Sequence, residues 1–96
     1  MAVQIEPEID LTRPWRLHPQ VAIRPESFGA LAYHFGTRRL TFLKSRTLLA
    51  VVESLAGHRS GAEACRAAGV PDDERGAYDA ALATLADSGM ICERSA

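Results

Sequence analysis

The side chains best suited to acid–base chemistry, nucleophilic attack or metal binding in this sequence are three histidines and two cysteines. His18, His34 and His58 lie far apart, and none occurs in an H-E-x-x-H or C-x-x-C context. Cys65 and Cys92 are too few and too widely spaced for a disulfide framework or a paired metal-ligand motif, so we interpret them as free thiols. A glycine-rich phosphate loop is also missing from the sequence. We therefore predict a protein that is not an enzyme and binds no metal.

The size and charge of the chain narrow the possibilities further. Its 96 residues, 47% of them hydrophobic, can form one domain with one modest core. Eleven basic residues against twelve acidic ones leave a formal net charge of −1, which favours neither a nucleic acid nor an anionic membrane as partner. The sequence shows no basic leader with an apolar segment and no run of about eighteen apolar residues, so we expect a cytoplasmic protein.

An N-terminal arm and a single folded domain are the expected organisation. Residues 1 to 14 follow no strand or helix period, which predicts a flexible arm, and the domain is expected over residues 15 to 96. Val21 and Ile23 alternate as in a first strand, and the runs at residues 30 to 35 and 38 to 43 predict a second and a third.

Two turns are expected to connect these strands. Pro25 suits the second position of a turn after the first strand, and Gly36 suits the first position of a type II′ hairpin. The second strand has a face of large side chains and a face of small or polar ones. The large face consists of Leu31, Tyr33 and Phe35, and the other face of Ala30, Ala32 and His34. His34 is in our interpretation a structural histidine, because a lone histidine on such a face is rarely a ligand or a base.

Helical patterns follow the strands. Ser45 is a candidate N-cap for a helix over residues 46 to 56, and Ser60 opens a short second helix with a capping-box pattern. A longer third helix runs from Pro71 to the stop signal Gly89, after which a short closing strand is possible. This order predicts an α+β fold that is winged-helix-like, with a three-stranded antiparallel sheet followed by three helices.

The outline of the helices makes a winged helix-turn-helix domain that binds DNA or another protein the alternative function. Residues 72 to 87, which would contain the recognition helix, carry five acidic residues and one basic residue, Arg75. Such a helix repels the phosphates of a duplex, which are spaced at one charge per roughly 1.7 Å of axis. The charge therefore argues against DNA.

The edge of the predicted sheet is a stronger candidate. A third sequential strand would be an edge strand with unpaired N–H and C=O groups. Arg38, Arg39 and Lys44 either block unwanted pairing there or select an acidic peptide that adds as a further strand. Each ordered peptide residue costs about 1 to 2 kcal/mol and each backbone hydrogen bond returns about 0.5 to 1.5 kcal/mol. Such a site must therefore also bury peptide side chains, at about 1.5 to 3 kcal/mol each.

Large apolar residues are available to line that site, although ordinary core packing is the competing interpretation for each of them. These residues are Phe42, Leu43, Tyr78 and Leu82. If the N–H of Thr41 points outward, a proline there should abolish peptide binding and leave the domain folded. Strand alternation leaves Leu40 and Phe42 as the other candidates for that outward position.

Residues 17 to 58, with ALATLADSGMI at residues 81 to 91, resemble the small peptide chaperones of mycofactocin biosynthesis. The resemblance is most specific at RPESFGALAYHFGTRRLTFLKS, residues 24 to 45. These chaperones are precursor-peptide recognition elements, similar to the chaperone of pyrroloquinoline quinone biosynthesis. The resemblance implies a winged-helix-like domain without catalytic activity. It would bind the leader of a ribosomally made precursor peptide as an added strand and present it to a radical S-adenosylmethionine maturase. The iron–sulfur clusters and S-adenosylmethionine would belong to that enzyme, so no cofactor is expected here.

Carried onto this chain, the resemblance implies peptide contacts on the third strand and the third helix. The strand contacts are Arg38, Arg39, Leu40, Thr41, Phe42 and Leu43, and the helix contacts are Tyr78, Ala81 and Leu82. A subunit that only stabilises the enzyme, without touching the peptide, is a further possibility that the sequence does not separate from the adaptor.

Overall fold

The computed structural model describes residues 9 to 94, which form two small β-sheets and three α-helices. The strands are β1 (Trp15–Leu17), β2 (Val21–Glu26), β3 (Gly29–His34), β4 (Leu40–Leu43) and β5 (Ile91–Glu93). The helices are α1 (Arg46–Ser54), α2 (Gly61–Ala67) and α3 (Arg75–Asp87), with 3-10 turns at Leu55–Gly57 and Asp72–Glu74. The predicted α+β fold, winged-helix-like with a three-stranded antiparallel sheet followed by three helices, is confirmed.

The main sheet has the strand order β2-β3-β4, with β3 in the centre. Ala32 of β3 lies opposite Ile23 of β2 and Thr41 of β4. A second sheet joins β1 to β5 near the two ends of the described chain. The short closing strand that the sequence allows after Gly89 is present as β5. The sequence does not predict β1, because three residues are too few to establish a strand period.

The turn between β2 and β3 lies later than Pro25 predicted. β2 continues to Glu26, and the turn is formed by Ser27 and Phe28. Phe35 donates its N–H to the carbonyl oxygen of Gln20, at 2.8 Å, and strand alternation then directs the main chain of Pro25 away from β3. Proline, which has no N–H, is tolerated inside this strand because it faces the open side of an edge strand.

The prediction of a type II′ hairpin at Gly36 is wrong, because the left-handed residue of this turn is Arg38, with φ of 62°. Arg38 donates its N–H to the His34 carbonyl, at 2.7 Å, while His34 donates to the carbonyl of Arg39, at 2.9 Å. Two residues of one strand thus oppose one residue of the other, which is a β-bulge. His34 Nδ1 accepts the N–H groups of Gly36 and Thr37, at 3.0 and 3.1 Å, and these bonds favour the wider turn.

The face of the sheet with small residues, rather than the face with large ones, packs against the helices. Ala30, Ala32 and His34 are 0%, 1% and 4% exposed, and α1 lies over them with its buried side chains Val51 and Val52. Small side chains allow the helix to approach β3 closely. The large side chains of the sheet are therefore left on its outer surface.

The helix boundaries follow the expected cap residues. Ser45 Oγ accepts the N–H of Leu48, at 3.0 Å, and Ser60 begins α2 in the same way. Gly69 and Gly89 end α2 and α3 in the left-handed conformation, with φ of 83° and 79°. The predicted serine caps and terminal glycines are confirmed. The third helix begins four residues after Pro71, later than predicted, because a 3-10 turn precedes it.

Part of the predicted arm, residues 1 to 8, lies outside the described residues. In the remaining part Leu11 is buried, and its carbonyl oxygen accepts the N–H of Ala62 of α2, at 3.0 Å. The main-chain carbonyl oxygen of Asp10 accepts a hydrogen bond from the indole N–H of Trp15, at 2.8 Å. Among residues 9 to 94 there is also no helix with the length and apolarity needed to cross a bilayer.

Candidate functional site

A groove runs between the edge strand β4, the start of α1 and one side of α3. It consists of two adjoining cavities of about 170 and 250 Å³. The smaller cavity is lined by Lys44, Ser45, Leu48, Ala77, Tyr78 and Ala81. The larger one is lined by Thr41, Phe42, Leu43, Lys44, Leu48, Ala81, Thr84 and Leu85.

Within the described chain β4 pairs only with β3, so one side of its main chain stays open beside this groove. The hydrogen bond from His34 to Arg39 fixes which groups are open, because bonded and non-bonded residue pairs alternate along an antiparallel ladder. By this alternation Thr41 and Leu43 bond inward to β3, whereas the N–H and C=O of Leu40 and Phe42 point outward. The Leu43 carbonyl lies so close to Gly29 of β3 that no Cβ would fit there, which agrees with an inward direction.

The register corrects the expectation for Thr41. Its main chain faces Ala32, so a proline at this position would remove a bond within the sheet. Leu40 and Phe42, the alternatives left by the sequence, are the residues that can pair with an added strand. A proline test of strand addition therefore belongs at Phe42 or Leu40.

The groove is mainly apolar, and Lys44 is the only charged residue among the described residues that line it. Lys44, Leu48 and Ala81 border both cavities, so the two cavities lie side by side. Side chains on one face of an extended strand recur every second residue, about 7 Å apart. A strand added to β4 could thus place an apolar side chain into each cavity.

The predicted site residues fall into three groups in the structure. Thr41, Phe42 and Leu43 on β4 and Tyr78 and Ala81 on α3 line the groove. Leu40, Arg38 and Arg39 border it without lining it: the first supplies open main-chain groups, and the two exposed arginines form the bulge that precedes β4. Leu82 is 0% exposed and belongs to the hydrophobic core.

Sequence reasoning did not assign five of the residues that line the groove to the peptide-binding site. They are Ser45, Leu48, Ala77, Thr84 and Leu85. The three on α3 could have been found from Ala81, since positions three or four residues away along a helix share its face. Leu48 could have been found from its place one turn after the cap of α1.

The histidines and cysteines lie outside this groove. The ring of His34 packs against the ring of His18, with centroids 4.5 Å apart and planes tilted by 39°. His34 also accepts hydrogen bonds in the hairpin turn, as expected of a structural histidine. Cys65 and Cys92 are free, and burial raises the pKa of the Cys65 thiol, so that this side chain stays protonated. Residues 9 to 94 contain no cluster of three or more His, Cys, Asp or Glu side chains that could hold a metal ion.

The start of α3 carries the opposite charge from a DNA-binding surface. Asp72, Asp73 and Glu74 are all exposed in the 3-10 turn that precedes the helix. Phosphates would be repelled there. The helices thus give no support to the alternative of DNA binding.

Fold and site together define a small α+β domain with an open strand edge beside an apolar groove, an arrangement suited to extended peptides. The chain belongs to the Peptide chaperone MftB family, whose family model matches residues 14–92. It is 61% identical over 87 residues to the peptide chaperone MftB of Mycobacterium ulcerans (strain Agy99), covering 91% of this chain and 80% of that protein.

Two further relatives with the same name were found. The protein of Mycobacterium tuberculosis (strain ATCC 25618 / H37Rv) is 59% identical over 87 residues, which cover 91% of this chain and 80% of the relative. The protein of Mycolicibacterium smegmatis (strain ATCC 700084 / mc(2)155) is 53% identical over 93 residues, which cover 95% and 91%. No solved structure matches the chain significantly.

Proposed function

We propose that this protein is a non-catalytic peptide chaperone of mycofactocin biosynthesis. It binds the leader of a ribosomally made precursor peptide as an added strand on β4 and presents that peptide to a radical S-adenosylmethionine maturase. The observation that carries the proposal is the open main chain of Leu40 and Phe42 beside the apolar groove. Membership of a family named for peptide chaperones supports the same role.

The groove supplies the binding energy that the strand edge lacks. Hydrogen bonds to Leu40 and Phe42 return about 0.5 to 1.5 kcal/mol each, which roughly offsets the 1 to 2 kcal/mol needed to order each peptide residue. Two apolar side chains buried in the two cavities contribute about 3 to 6 kcal/mol together. If nothing else contributes, about 3 to 6 kcal/mol corresponds to a Kd between about 6 mM and about 40 μM. Tighter binding needs a further contribution.

Charge attraction is a source of that contribution. Lys44 lies in the groove, and Arg38 and Arg39 are exposed at the end of the hairpin from which β4 starts. Cations at both ends of a four-residue strand favour a leader with carboxylates flanking its apolar residues. They also disfavour the pairing of β4 with β4 of a second copy.

The chemistry in this proposal takes place on the maturase. A chaperone that holds the leader converts the encounter between the rest of the peptide and the enzyme into a tethered one, with an effective concentration in the millimolar range for short linkers. The folded domain positions the peptide at the enzyme, and the enzyme carries the cofactors.

Calorimetric titration with the synthetic precursor peptide, with and without its leader, tests the proposal. We expect saturable binding that depends on the leader. Ala81→Trp, which fills the space shared by both cavities, should weaken binding at least tenfold. Ala80→Trp is the matched control, because Ala80 is the exposed neighbour of Ala81 and borders neither cavity. Equal affinities of the two variants would refute binding in the groove.

A further inference from the structure

The outer face of the main sheet concentrates the exposed hydrophobic surface of the protein. The exposed large hydrophobic side chains of residues 9 to 94 all lie on this face or in the turns beside it. They are Phe28, Phe35, Leu40 and Phe42, at 47%, 61%, 55% and 54% exposure. Natural sheets with one free face usually carry polar residues there. This face, which we call the outer face, is therefore unusual for a surface that meets only water.

The side chains of the outer face form one continuous patch. The rings of Phe28 and Phe42 have centroids 6.0 Å apart, and Phe42 lies opposite Leu31 of β3. Tyr33 lies opposite Leu40, and its ring meets the ring of Phe35 edge to face, with centroids 5.2 Å apart. The patch thus extends from one end of the sheet to the other.

The size of the patch fits the centre of a protein interface. A whole aromatic side chain offers about 150 to 250 Å², so four side chains that are about half exposed leave roughly 400 Å² of apolar surface. A stable interface buries about 800 Å² on each partner, with an apolar centre and a polar rim. The outer face would supply that centre, and the hairpin end and β2 would supply the rim.

The charged residues around the apolar patch indicate which charge a binding partner carries. Arg24, on the outer face opposite Leu31, bonds to Glu26 at 3.0 Å, so this pair is compensated. Arg38 and Arg39, which follow Phe35 in the hairpin turn, have no acidic partner within ion-pair distance among residues 9 to 94. A symmetric dimer through this face would bring two such arginine pairs into one interface, which disfavours a second copy. A partner with carboxylates around an apolar surface is favoured.

We propose that the outer face is the docking surface for a folded partner protein whose own surface is apolar with a carboxylate rim. This inference rests on the proposed function, in which the partner is the maturase. Leu40 and Phe42 direct their main chain to the peptide edge and their side chains to the outer face. A partner on this face therefore lies directly beside the bound leader. The two occupants use different groups of Leu40 and Phe42, and both lie near the cations of Arg38 and Arg39.

Titration of the purified maturase into the full-length protein tests the inference. Phe28→Ala with Phe35→Ala removes two aromatic side chains that lie outside the peptide groove. We expect enzyme affinity to fall at least tenfold and leader affinity to change less than twofold. Phe35→Glu should have the same effect, because it places a carboxylate against the carboxylates of the partner. Ala67→Glu, at an exposed position on α2, is the charge-matched control.

Each outcome separates this inference from the proposed function. Unchanged enzyme affinity in both phenylalanine variants, with folding checked by circular dichroism, would overturn the docking surface and leave leader binding intact. An enzyme that does not bind the unaltered protein would also overturn it, as would sedimentation of the protein with vesicles containing anionic phospholipid. If the unaltered protein binds the enzyme but not the leader, and the phenylalanine variants lose enzyme affinity, the peptide groove would be refuted and the docking surface would stand.

Discussion

A proline at Phe42 is expected to weaken leader binding without removing any hydrogen bond within the protein. The N–H of Phe42 points away from β3, and an edge strand tolerates proline when its N–H faces outward. The added strand would lose the one hydrogen bond that this N–H donates. Because the substitution also removes the aromatic side chain, Phe42→Ala is the reference variant.

The expected loss of leader affinity follows from the number of hydrogen bonds removed, which is one. One backbone hydrogen bond contributes about 0.5 to 1.5 kcal/mol, so Phe42→Pro should bind the leader about 2- to 13-fold more weakly than Phe42→Ala. Calorimetric titration gives the affinities, and urea unfolding gives the stabilities. The two variants should unfold with similar free energies. Thr41→Pro should instead lower the free energy of unfolding by about 1 to 3 kcal/mol, because it leaves the carbonyl of Ala32 without its partner.

The opposite pattern would refute this reasoning. If Phe42→Pro and Phe42→Ala bind the leader equally well, the peptide does not pair with β4 at this residue. If Thr41→Pro is as stable as the unaltered protein while Phe42→Pro unfolds, the main chain of Thr41 points outward and that of Phe42 bonds to β3. Either result would require a new assignment of the strand edge.

Three further predictions test charge, burial and capping. Arg38→Glu combined with Arg39→Glu should weaken leader binding most at low salt, since screening reduces the attraction, and a loss independent of salt would point to misfolding. Burial raises the pKa of Cys65, so thiol-reactive dye should label Cys92 first, and stability should fall as pH rises above the ordinary thiol value of 9.0, a loss that should be absent in Cys65→Ala. Ser45→Ala should cost about 0.5 to 2 kcal/mol in urea unfolding, because it removes the hydrogen bond to Leu48, whereas Ser45→Asp should retain most of the stability.

The sequence predicted those parts of the fold that depend on local signals. Ser45 and Ser60 cap helices, and Gly69 and Gly89 end them, because the preference for these residues at helix ends needs no tertiary contact. The alternation in β3 correctly separated the two faces of the sheet. Local signals also placed the third helix after the sheet and hence the candidate groove.

Features that depend on contacts between distant segments could not be predicted in this way. β1 forms because Trp15–Leu17 pairs with Ile91–Glu93, which lies more than seventy residues further along the chain. The bulge at Arg38 depends on the two hydrogen bonds that His34 Nδ1 accepts in the turn, and these bonds outweighed the preference of Gly36 for a tight hairpin. The direction of the amides in β4 follows from the bulge, which is why the sequence could not decide between Thr41 and its neighbours.

The inward position of the small residues links the fold to the proposed function. Val51 and Val52 of α1 fill the space above β3, so Ala30 and Ala32 are the sizes that fit below them. The fold does not require large apolar side chains on the outer face, because side chains there do not enter the core, and polar ones would serve equally well. The large apolar residues there, at Phe35 for example, instead add exposed surface that favours association. A partner that covers this surface would explain why they are present, and the same strand, β4, then serves both the peptide and the partner.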